Sequence, residues 1–574
     1  MALKRIAATL GLGLVLAGLA SEALARAPRT AELPTARPSG VEAAGPETRA
    51  ATPRAAVAQS LAEAARRAAR LSGRAGYVLM DLQTGEVLAR IEAEAAFPPA
   101  SVAKAPTALY ALETLGPEHR FETRLMVEGL GPDGMADRVA LVGGGDPELD
   151  SDMLADMAAE AFARGLRGAH AFVWDLGGRV EVPAIDAEQP VEVAYNPAVS
   201  PLTLNFNRVL LRWTRNGDGW MLNVEARARS ESPPAGSVTA RLSGREAPVF
   251  DRDDTSDQEV WKVNPKALRK NGQRWLPVRR PGAYAASVFR ALAAEKGVTL
   301  PQPSAGRAGP GEALAIMRSR PLSDILRAML RHSTNLTAEA AGLAASAARL
   351  ETPESLAESG AAMSAWATAR AAAPAQRAKP STIPRAAGSG FSDEARPGLA
   401  AGIAASLLAG SAAAAGTADG SDAAAAGAAA FASRGPVAAM DLRNHSGLSA
   451  ASRASPLSVA RLLRAAALRG EGRGSPGALQ ALMRPMKLDA RKGESDLPKG
   501  VEAVAKTGTM NFVRGLAGYL TAGSGRRLVF AIFAEDLASR AAMRSGRATQ
   551  GSRGWLGRAR TMERAMVRGW GAAL

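Results

Sequence analysis

The sequence contains no cysteine. This absence excludes a thiol nucleophile, a disulfide framework and a thiolate metal site together. Only four histidines are present, and no two of them have the His-x-x-x-His spacing of a zinc site. The sequence therefore implies neither a metal ion nor an organic cofactor.

Acidic residues are outnumbered by basic residues, 55 to 71, and the excess is largely arginine. The arginines are spread along the chain, and no long basic tract is interleaved with aromatic residues, which make up only 4% of the sequence. This pattern argues against a nucleic-acid partner. The positive charge would suit peripheral contact with acidic wall polymers or with an anionic membrane surface.

An uncharged run lies near the start of the chain, where Ile6 to Ser21 follows two basic residues. Small residues then occupy 23 and 25, the two positions that a signal peptidase reads. We predict that residues 1–25 are a cleaved signal peptide that directs the protein to the periplasm. A membrane anchor is the alternative, for which the run is short.

At 574 residues the chain is too long for one compact core. Residues 26–58 are rich in Ala, Pro, Arg and Thr and are typical of a flexible linker. Periodic patterns predict a first domain built from residues 59–118 and 279–574, interrupted by a β-rich region at 119–278. An alanine-dominated segment at 371–434 is predicted to be a low-complexity insertion into the second part.

Apolar periodicity within the first domain indicates both strands and helices. Residues 76–90 read as a β-hairpin, and residues 101–115 as a helix. Further helices are predicted at 284–296, 321–330 and 561–570, and strands at 501–506, 513–521 and 527–534. We therefore expect an α/β domain in which helices flank a central antiparallel sheet.

The residues most suited to chemistry begin with Ser101 and Lys104, at the start of the predicted helix. Three-residue spacing places the hydroxyl and the amine on one face, close enough for proton transfer. Lys104 is the only lysine with serine in that place. A lysine can act as a base only when burial or a nearby positive charge lowers its pKa.

Two further motifs follow in the chain. Ser333-Thr334-Asn335 comes directly after a predicted helix, and a second hydroxyl with an amide can relay a proton and hold a carbonyl. Lys506-Thr507-Gly508-Thr509 ends a predicted strand, where a lysine and hydroxyls suit a free carboxylate. Each motif alone is common, but three in order on suitable elements are not.

The three motifs together resemble the Ser-x-x-Lys, Ser-x-Asn and Lys-Thr-Gly motifs of penicillin-binding proteins and serine β-lactamases. The first two motifs are separated by about 230 residues. In this wide spacing the chain resembles the D-alanyl-D-alanine carboxypeptidase/endopeptidase family, the class C low-molecular-mass penicillin-binding proteins, which have an inserted domain there. Two other stretches also resemble that family: Gly143-Gly144-Gly145-Asp146-Pro147 and Asn444-His445-Ser446-Gly447-Leu448-Ser449. The resemblance implies a β-lactamase/transpeptidase-like catalytic domain with a β-rich domain inserted between the first two motifs.

The resemblance also implies roles for individual residues. Ser101 would be the acylated nucleophile and Lys104 its base, with Ser333 and Asn335 as the second catalytic element. The residues that would bind the substrate are Lys506, Thr507, Gly508 and Thr509, and the amides of Ser101 and Thr509 would form the oxyanion hole.

Two other polar residues lie in stretches similar to the family. Asp146 would pair with an amino group of a wall peptide if it lines the cleft, although an Asp-Pro turn is the favoured explanation for the residue by itself. His445 is predicted to lie in a surface loop. The family's acidic residue ahead of this stretch is displaced to Asp441.

The sequence thus predicts a penicillin-sensitive serine peptidase that binds peptidoglycan peptides and β-lactams. Carboxypeptidase and endopeptidase action share one acyl-enzyme step, so the preference between them stays open, as does the oligomeric state. A serine β-lactamase or esterase of the same fold, which differs in deacylation, is one alternative. A secreted wall-binding protein that has lost turnover is the other.

Overall fold

Strands lie in three stretches of the chain, and most of the helices lie between them. The computed structural model describes residues 52–179, 181–244, 249–253, 258–349, 353–373, 440–469, 479–544 and 551–574. The strands are β1 (Arg74–Asp81), β2 (Val87–Ile91), β3 (Glu122–Glu128), β4 (Met135–Val142), β5 (Gly168–Asp175), β6 (Arg208–Asn216), β7 (Gly219–Glu225), β8 (Val238–Leu242), β9 (Phe250–Asp253), β10 (Glu259–Val263), β11 (Gly272–Pro277), β12 (Ser304–Ala305), β13 (Glu312–Arg318), β14 (Arg484–Pro485), β15 (Glu502–Met510), β16 (Val513–Thr521) and β17 (Arg527–Glu535).

The helices comprise α-helices and short 3-10 segments. The α-helices are α1 (Pro53–Ala69), α2 (Lys104–Leu115), α3 (Ser151–Ala163), α4 (Pro281–Glu295), α5 (Leu322–His332), α6 (Asn335–Arg349), α7 (Leu356–Ala372), α8 (Pro456–Arg469), α9 (Leu479–Leu482), α10 (Leu537–Arg544) and α11 (Ser552–Ala573). The 3-10 helices are Ala100–Ala103, Asn205–Asn207 and Pro265–Ala267.

Three sequence predictions fall wholly or mainly outside the described residues. These are the signal peptide at 1–25, residues 26–51 of the linker predicted at 26–58, and residues 374–434 of the alanine-rich segment predicted at 371–434. The linker prediction was wrong for its last residues, because α1 begins at Pro53 with Thr52 as its N-cap. The buried face of α1 consists of alanines, so its apolar periodicity is weak in the sequence.

A six-stranded antiparallel sheet, in the order β14-β15-β16-β17-β1-β2, joins the two ends of the described chain. Strands β1 and β2 form the predicted hairpin, and the three predicted C-terminal strands are confirmed. Strand β15 pairs with β16 over its whole length, which places the predicted third motif in the second half of β15.

The two faces of this sheet are covered by different helices. Nearly every residue of β16 and β17 is buried, and alternate residues belong to different cores because successive side chains point to opposite faces. One core combines Leu516 and Phe530 with α1 and α11. The other combines Tyr519 and Phe533 with α2, α5, α6, α7 and α8. Double coverage explains the almost continuous apolar runs of these two strands.

The β-rich region between the first two motifs contains three smaller sheets. A five-stranded sheet has the order β12-β5-β4-β3-β13, and two three-stranded sheets have the orders β8-β10-β9 and β11-β6-β7. A separate hydrophobic core joins them to α3 and α4. The predicted mixed class, with a β-rich region between the first two motifs, is confirmed.

The predicted end of this region at residue 278 was too early. Strand β13 pairs with β3, and Phe289 of α4 packs on Phe172 with ring centroids 5.9 Å apart. The inserted region therefore extends to Arg318. Periodicity shows that α4 has an apolar face, but it cannot show which of two cores that face joins.

No helix in the described part of the chain has both the length and the apolar character needed to cross a bilayer.

The hydrophobic core between the central sheet and helices α1 and α11 depends on Trp570 of α11. Its indole is fully buried, lies 6.3 Å from Tyr77 and 6.4 Å from Phe530 between ring centroids, and donates to the Ala58 carbonyl at 3.0 Å. We expect Trp570→Ala to lower the free energy of unfolding by about 3–5 kcal/mol, measured by urea denaturation. The control Trp220→Ala, at a half-buried tryptophan of β7, should cost clearly less; equal losses would contradict this account.

Candidate active site

Ser101 and Lys104 lie where a 3-10 helix passes into α2. Residues three apart eclipse each other in a 3-10 helix, so both side chains share one face. Lys104 Nζ lies 3.0 Å from Ser101 Oγ. The lysine is completely buried, whereas Ser101 is partly exposed. The predicted pair is therefore close enough for direct proton transfer, with its hydroxyl open to a ligand.

The amine of Lys104 has two further partners. Nζ donates to Asn335 Oδ1 at 2.7 Å and to the Ser446 carbonyl at 2.8 Å. Burial lowers the pKa of Lys104 well below its usual value, and the nearby charge of Lys506 lowers it further. A neutral amine has two N–H groups and one lone pair. If the Asn335 amide and the Ser446 carbonyl take both N–H groups of the neutral form, its lone pair is left to face the Ser101 hydroxyl.

The second motif lies in a sharp turn between α5 and α6. Ser333 is the C-cap of α5 in the left-handed conformation, at φ 59°, and its N–H donates to the Met329 carbonyl at 2.7 Å. Asn335 is the first residue of α6. This turn brings the Asn335 amide to Lys104, and it brings the Ser333 hydroxyl to within 2.9 Å of Lys506 Nζ.

The third motif lies on β15, beside the 3-10 helix. Lys506 is buried and donates to the carbonyl of Thr507 at 2.7 Å; burial, aided by Arg514, lowers its pKa to about 7. Thr507 and Thr509 are exposed. A Cβ at Gly508 would lie 2.5 Å from the Pro99 carbonyl oxygen, so only glycine allows this strand to approach Ser101 so closely.

The model of the D-Ala-D-Ala carboxypeptidase 3 (S13) family matches residues 57–367 and 403–552. The chain belongs to this family. A D-alanyl-D-alanine carboxypeptidase from Actinomadura sp. (strain R39) is 42% identical over 93 residues, which are 16% of this chain and 17% of that relative. The matched stretch thus spans about a sixth of the curated relative.

Solved structures agree on the fold of this S13 chain. Penicillin-binding protein 4 from Haemophilus influenzae has 20% identity and a TM-score of 0.57, covering 83% of this chain and 93% of its own. Its complex with a β-lactam has 18% identity and a TM-score of 0.54, covering 83% and 92%. The predicted family and fold are confirmed.

Glu339 is a residue of this S13 site that the sequence reasoning missed. It is fully buried one turn after Asn335, and its carboxylate accepts from the N–H groups of His445 and Ser446, each at 2.9 Å. Burial raises the pKa of Glu339, and these hydrogen bonds oppose the shift. The carboxylate therefore fixes the loop whose Ser446 carbonyl contacts Lys104. Its four-residue spacing from Asn335 was the available signal.

A buried ion pair behind Thr509 was also missed. Arg514 donates from Nη1 to Thr509 Oγ1 at 2.6 Å, and from Nε to both oxygens of Glu563, at 3.0 and 2.8 Å. Burial raises the pKa of Glu563 to about 7, and the Arg514 guanidinium opposes this shift. Thr509 and Arg514 face each other in the register of β15 and β16, which the sequence does not specify.

The prediction that His445 lies in a surface loop was wrong. Its ring is completely buried and lies 2.7 Å from Ser359 Oγ through Nε2, and burial lowers its pKa to about 3. A Cβ at Gly342 of α6 would lie 2.1 Å from the ring, so this glycine makes room for it. The other ring nitrogen, Nδ1, lies 3.3 Å from the sulfur of Met363.

The structure does not bring Asp146 together with the three motifs. The residue is only 1% exposed; Oδ1 accepts from the Glu148 N–H at 2.9 Å, and Oδ2 has no hydrogen-bond partner among the described residues. Burial raises the pKa of its carboxyl to about 7. A carboxylate enclosed in this way does not line a cleft, so the predicted contact with substrate finds no support in its surroundings.

No group of three or more acidic or histidine side chains in the described ranges is arranged to hold a metal ion.

Replacing Glu339 tests its hold on the 445–446 loop. Glu339→Gln turns one acceptor into a donor that faces a buried N–H, and a buried unsatisfied donor costs about 1–3 kcal/mol. We expect the free energy of unfolding to fall by that amount in urea denaturation. The exposed control Glu94→Gln should change it by less than about 0.5 kcal/mol. A loss no larger than that of the control would show that the carboxylate does not hold the loop.

Proposed function

We propose that this protein is a serine-type D-Ala-D-Ala carboxypeptidase/endopeptidase that acts on peptidoglycan peptides through an acyl-enzyme on Ser101. Penicillins would acylate the same hydroxyl. The observation that carries the proposal is the contact of Ser101 Oγ with a buried amine, at 3.0 Å, whose other two partners are both acceptors. Membership of the S13 family and the name of the Actinomadura relative support this chemistry.

The acylation step follows from this geometry. Ser101 Oγ attacks the carbonyl carbon of the scissile bond while its proton passes to Lys104 Nζ. The amides of Ser101 and Thr509 would stabilise the oxyanion, as Gly508 lets β15 lie against the 3-10 helix. The C–N bond then breaks, and the departing amine takes a proton back from the Lys104 ammonium. Hydrolysis of the ester by water regenerates Ser101.

Recognition of a terminal carboxylate is the role that we assign to the third motif. Lys506 supplies a positive charge beside the Ser333 hydroxyl, and Thr507 and Thr509 of the same strand have exposed side chains. Together these groups can bind a carboxylate. In a carboxypeptidase this group belongs to the terminal D-alanine, and in an endopeptidase to the matching end of a cross-link. Since peptidoglycan lies outside the cytoplasmic membrane, we propose that the protein acts in the periplasm.

Covalent labelling tests the nucleophile. We expect penicillin to add its mass once per molecule, and digestion should place the adduct on Ser101. Ser101→Ala should carry no adduct, because among the described residues no other hydroxyl is within hydrogen-bond distance of Lys104 Nζ. The control Ser287→Ala, in α4 of the inserted region, should label like the wild type. An adduct retained by Ser101→Ala would refute the assignment, and an unlabelled wild type would favour the inert wall-binding alternative.

The pH dependence of specificity tests Lys506. Its pKa of about 7 means that the amine is charged below pH 7 and neutral above it. We therefore expect the ratio of kcat/KM for a D-Ala-D-Ala peptide to kcat/KM for a neutral ester to fall as the pH rises through about 7. Because both substrates need Lys104 as the base, its titration changes both kcat/KM values by the same factor and cancels in their ratio.

Variants at Lys506 complete this test. Lys506→Met should lower kcat/KM for the peptide by about 10–100-fold more than for the ester, the loss expected for a hydrogen bond to a charged group. The ratio should then no longer depend on pH. Lys499→Met, at an exposed lysine, is the control. Equal losses on both substrates would count against carboxylate recognition by Lys506.

A further inference from the structure

A loop of the inserted region, residues 183–196, reaches the catalytic motifs. The backbone carbonyl of Tyr195 in this loop accepts a hydrogen bond from Asn335 Nδ2 at 2.9 Å. The other end of the same amide, Oδ1, accepts from Lys104 at 2.7 Å. Both ends of the Asn335 amide are thus engaged, one by the catalytic domain and one by the inserted region.

The orientation of this amide decides where the Lys104 lone pair points. With Oδ1 toward Nζ, the amine donates to Asn335 and to Ser446, and its lone pair faces Ser101. A flipped amide would present its N–H groups to Nζ, and the lone pair would accept from Asn335 in place of Ser101. A fixed acceptor at the position of the Tyr195 carbonyl opposes that flip, because it requires a donor on that side.

The guanidinium of Arg279 holds this loop on both sides of Tyr195. Nη1 donates to the carbonyls of Pro183 at 2.9 Å and Asn196 at 2.6 Å, and Nη2 donates to the carbonyl of Val191 at 2.9 Å. Arg279 is only 8% exposed. Three charge-assisted bonds from one planar group restrict the path of the loop more than single contacts would.

The backbone of Arg279 is itself fixed by a buried carboxylate. Glu259, at the start of β10, accepts from the Arg279 N–H at 2.9 and 3.1 Å and from the Arg280 N–H at 3.3 Å. Arg279 also follows closely on β11, which pairs with β6. The loop is therefore tied to two of the small sheets of the inserted region.

An apolar contact also joins the inserted region to the catalytic motifs; we call this meeting of the two the junction. Phe206 belongs to the run Asn205–Asn207, in which all three residues have left-handed backbones, with φ of 50°, 57° and 51°. It packs against a small cluster that contains Leu336, next to Asn335. Leu448, two residues after Ser446, packs against the same cluster. Strained conformations persist only where the surroundings impose them. Here they place the Phe206 ring against the cluster that contains Leu336, the residue after Asn335.

We propose that the inserted region positions the general base, and that Arg279 is a positioning residue which holds the 183–196 loop so that the Tyr195 carbonyl fixes the Asn335 amide. The inference rests on the proposed acyl-enzyme function. It gives the inserted region a part in acylation in addition to any contact with substrate.

The test compares acylation of full-length variants by a fluorescent penicillin. Arg279→Met removes the three bonds to the loop, and Arg279→Lys keeps a charged donor. Arg290→Met removes an arginine that donates to the Leu300 carbonyl within the inserted region. For Arg279→Met we expect the maximal acylation rate to fall by about tenfold or more, since small misplacements of catalytic groups have such effects. The concentration for half-maximal rate and the final labelled fraction should stay unchanged.

These readouts separate positioning from simple loss of structure. Partial unfolding would lower the labelled fraction and leave the rate of the folded fraction as in the wild type, and this result would overturn the proposal. Arg279→Lys should recover part of the rate, and Arg290→Met should match the wild type. A wild-type rate in Arg279→Met would overturn the inference alone, whereas an unlabelled wild type would overturn the proposed function beneath it.

A second variant covers the case in which Arg279→Met does not fold. Phe206→Leu keeps an apolar side chain but shortens its contact with the cluster at the junction. We expect a fall of several-fold in the maximal rate with full labelling. Phe250→Leu, in the separate core of the inserted region, is the matched control. Equal rates in Phe206→Leu and its control would contradict the inference.

Discussion

The burial of one lysine amine is the constraint on which the rest of the site depends. An uncompensated ammonium group is expensive to remove from water, and Lys104 is completely buried. The chain resolves this cost by favouring the neutral amine and by giving it two acceptors, the Asn335 amide and the Ser446 carbonyl. In the function that we propose, the lone pair that remains is the feature that would make Ser101 a nucleophile.

Each partner of this amine is held by a different part of the chain. The Ser446 carbonyl depends on Glu339, which fixes its loop from α6. The Asn335 amide depends on the inserted region through Tyr195. Lys506 adds a second charge that favours a neutral Lys104. Segments far apart in sequence therefore converge on the contact between Ser101 and Lys104, and the inserted region belongs to that arrangement.

Much of this site could be predicted from the sequence, because its polar residues are concentrated in three short motifs. Within each motif, the residue types and their spacing are visible in the sequence. The hairpin of β1 and β2 and the strands β15 to β17 followed from periodicity and turn residues. The supports of the site could not be predicted in this way. Glu339, Arg514 and the buried His445 act through long-range contacts, and a single periodic pattern does not specify strand register, the core that a helix joins or the burial of a loop.

The charge of Lys104 at neutral pH is the most direct measure of this account. It can be followed by NMR titration of the Cε carbon in protein labelled with 13C-lysine, with the signal assigned by its loss in Lys104→Arg. The account predicts that Lys104 is neutral at pH 7, at which the exposed lysines remain charged. A Lys104 that titrates with those exposed lysines, and is therefore an ammonium at pH 7, would contradict it.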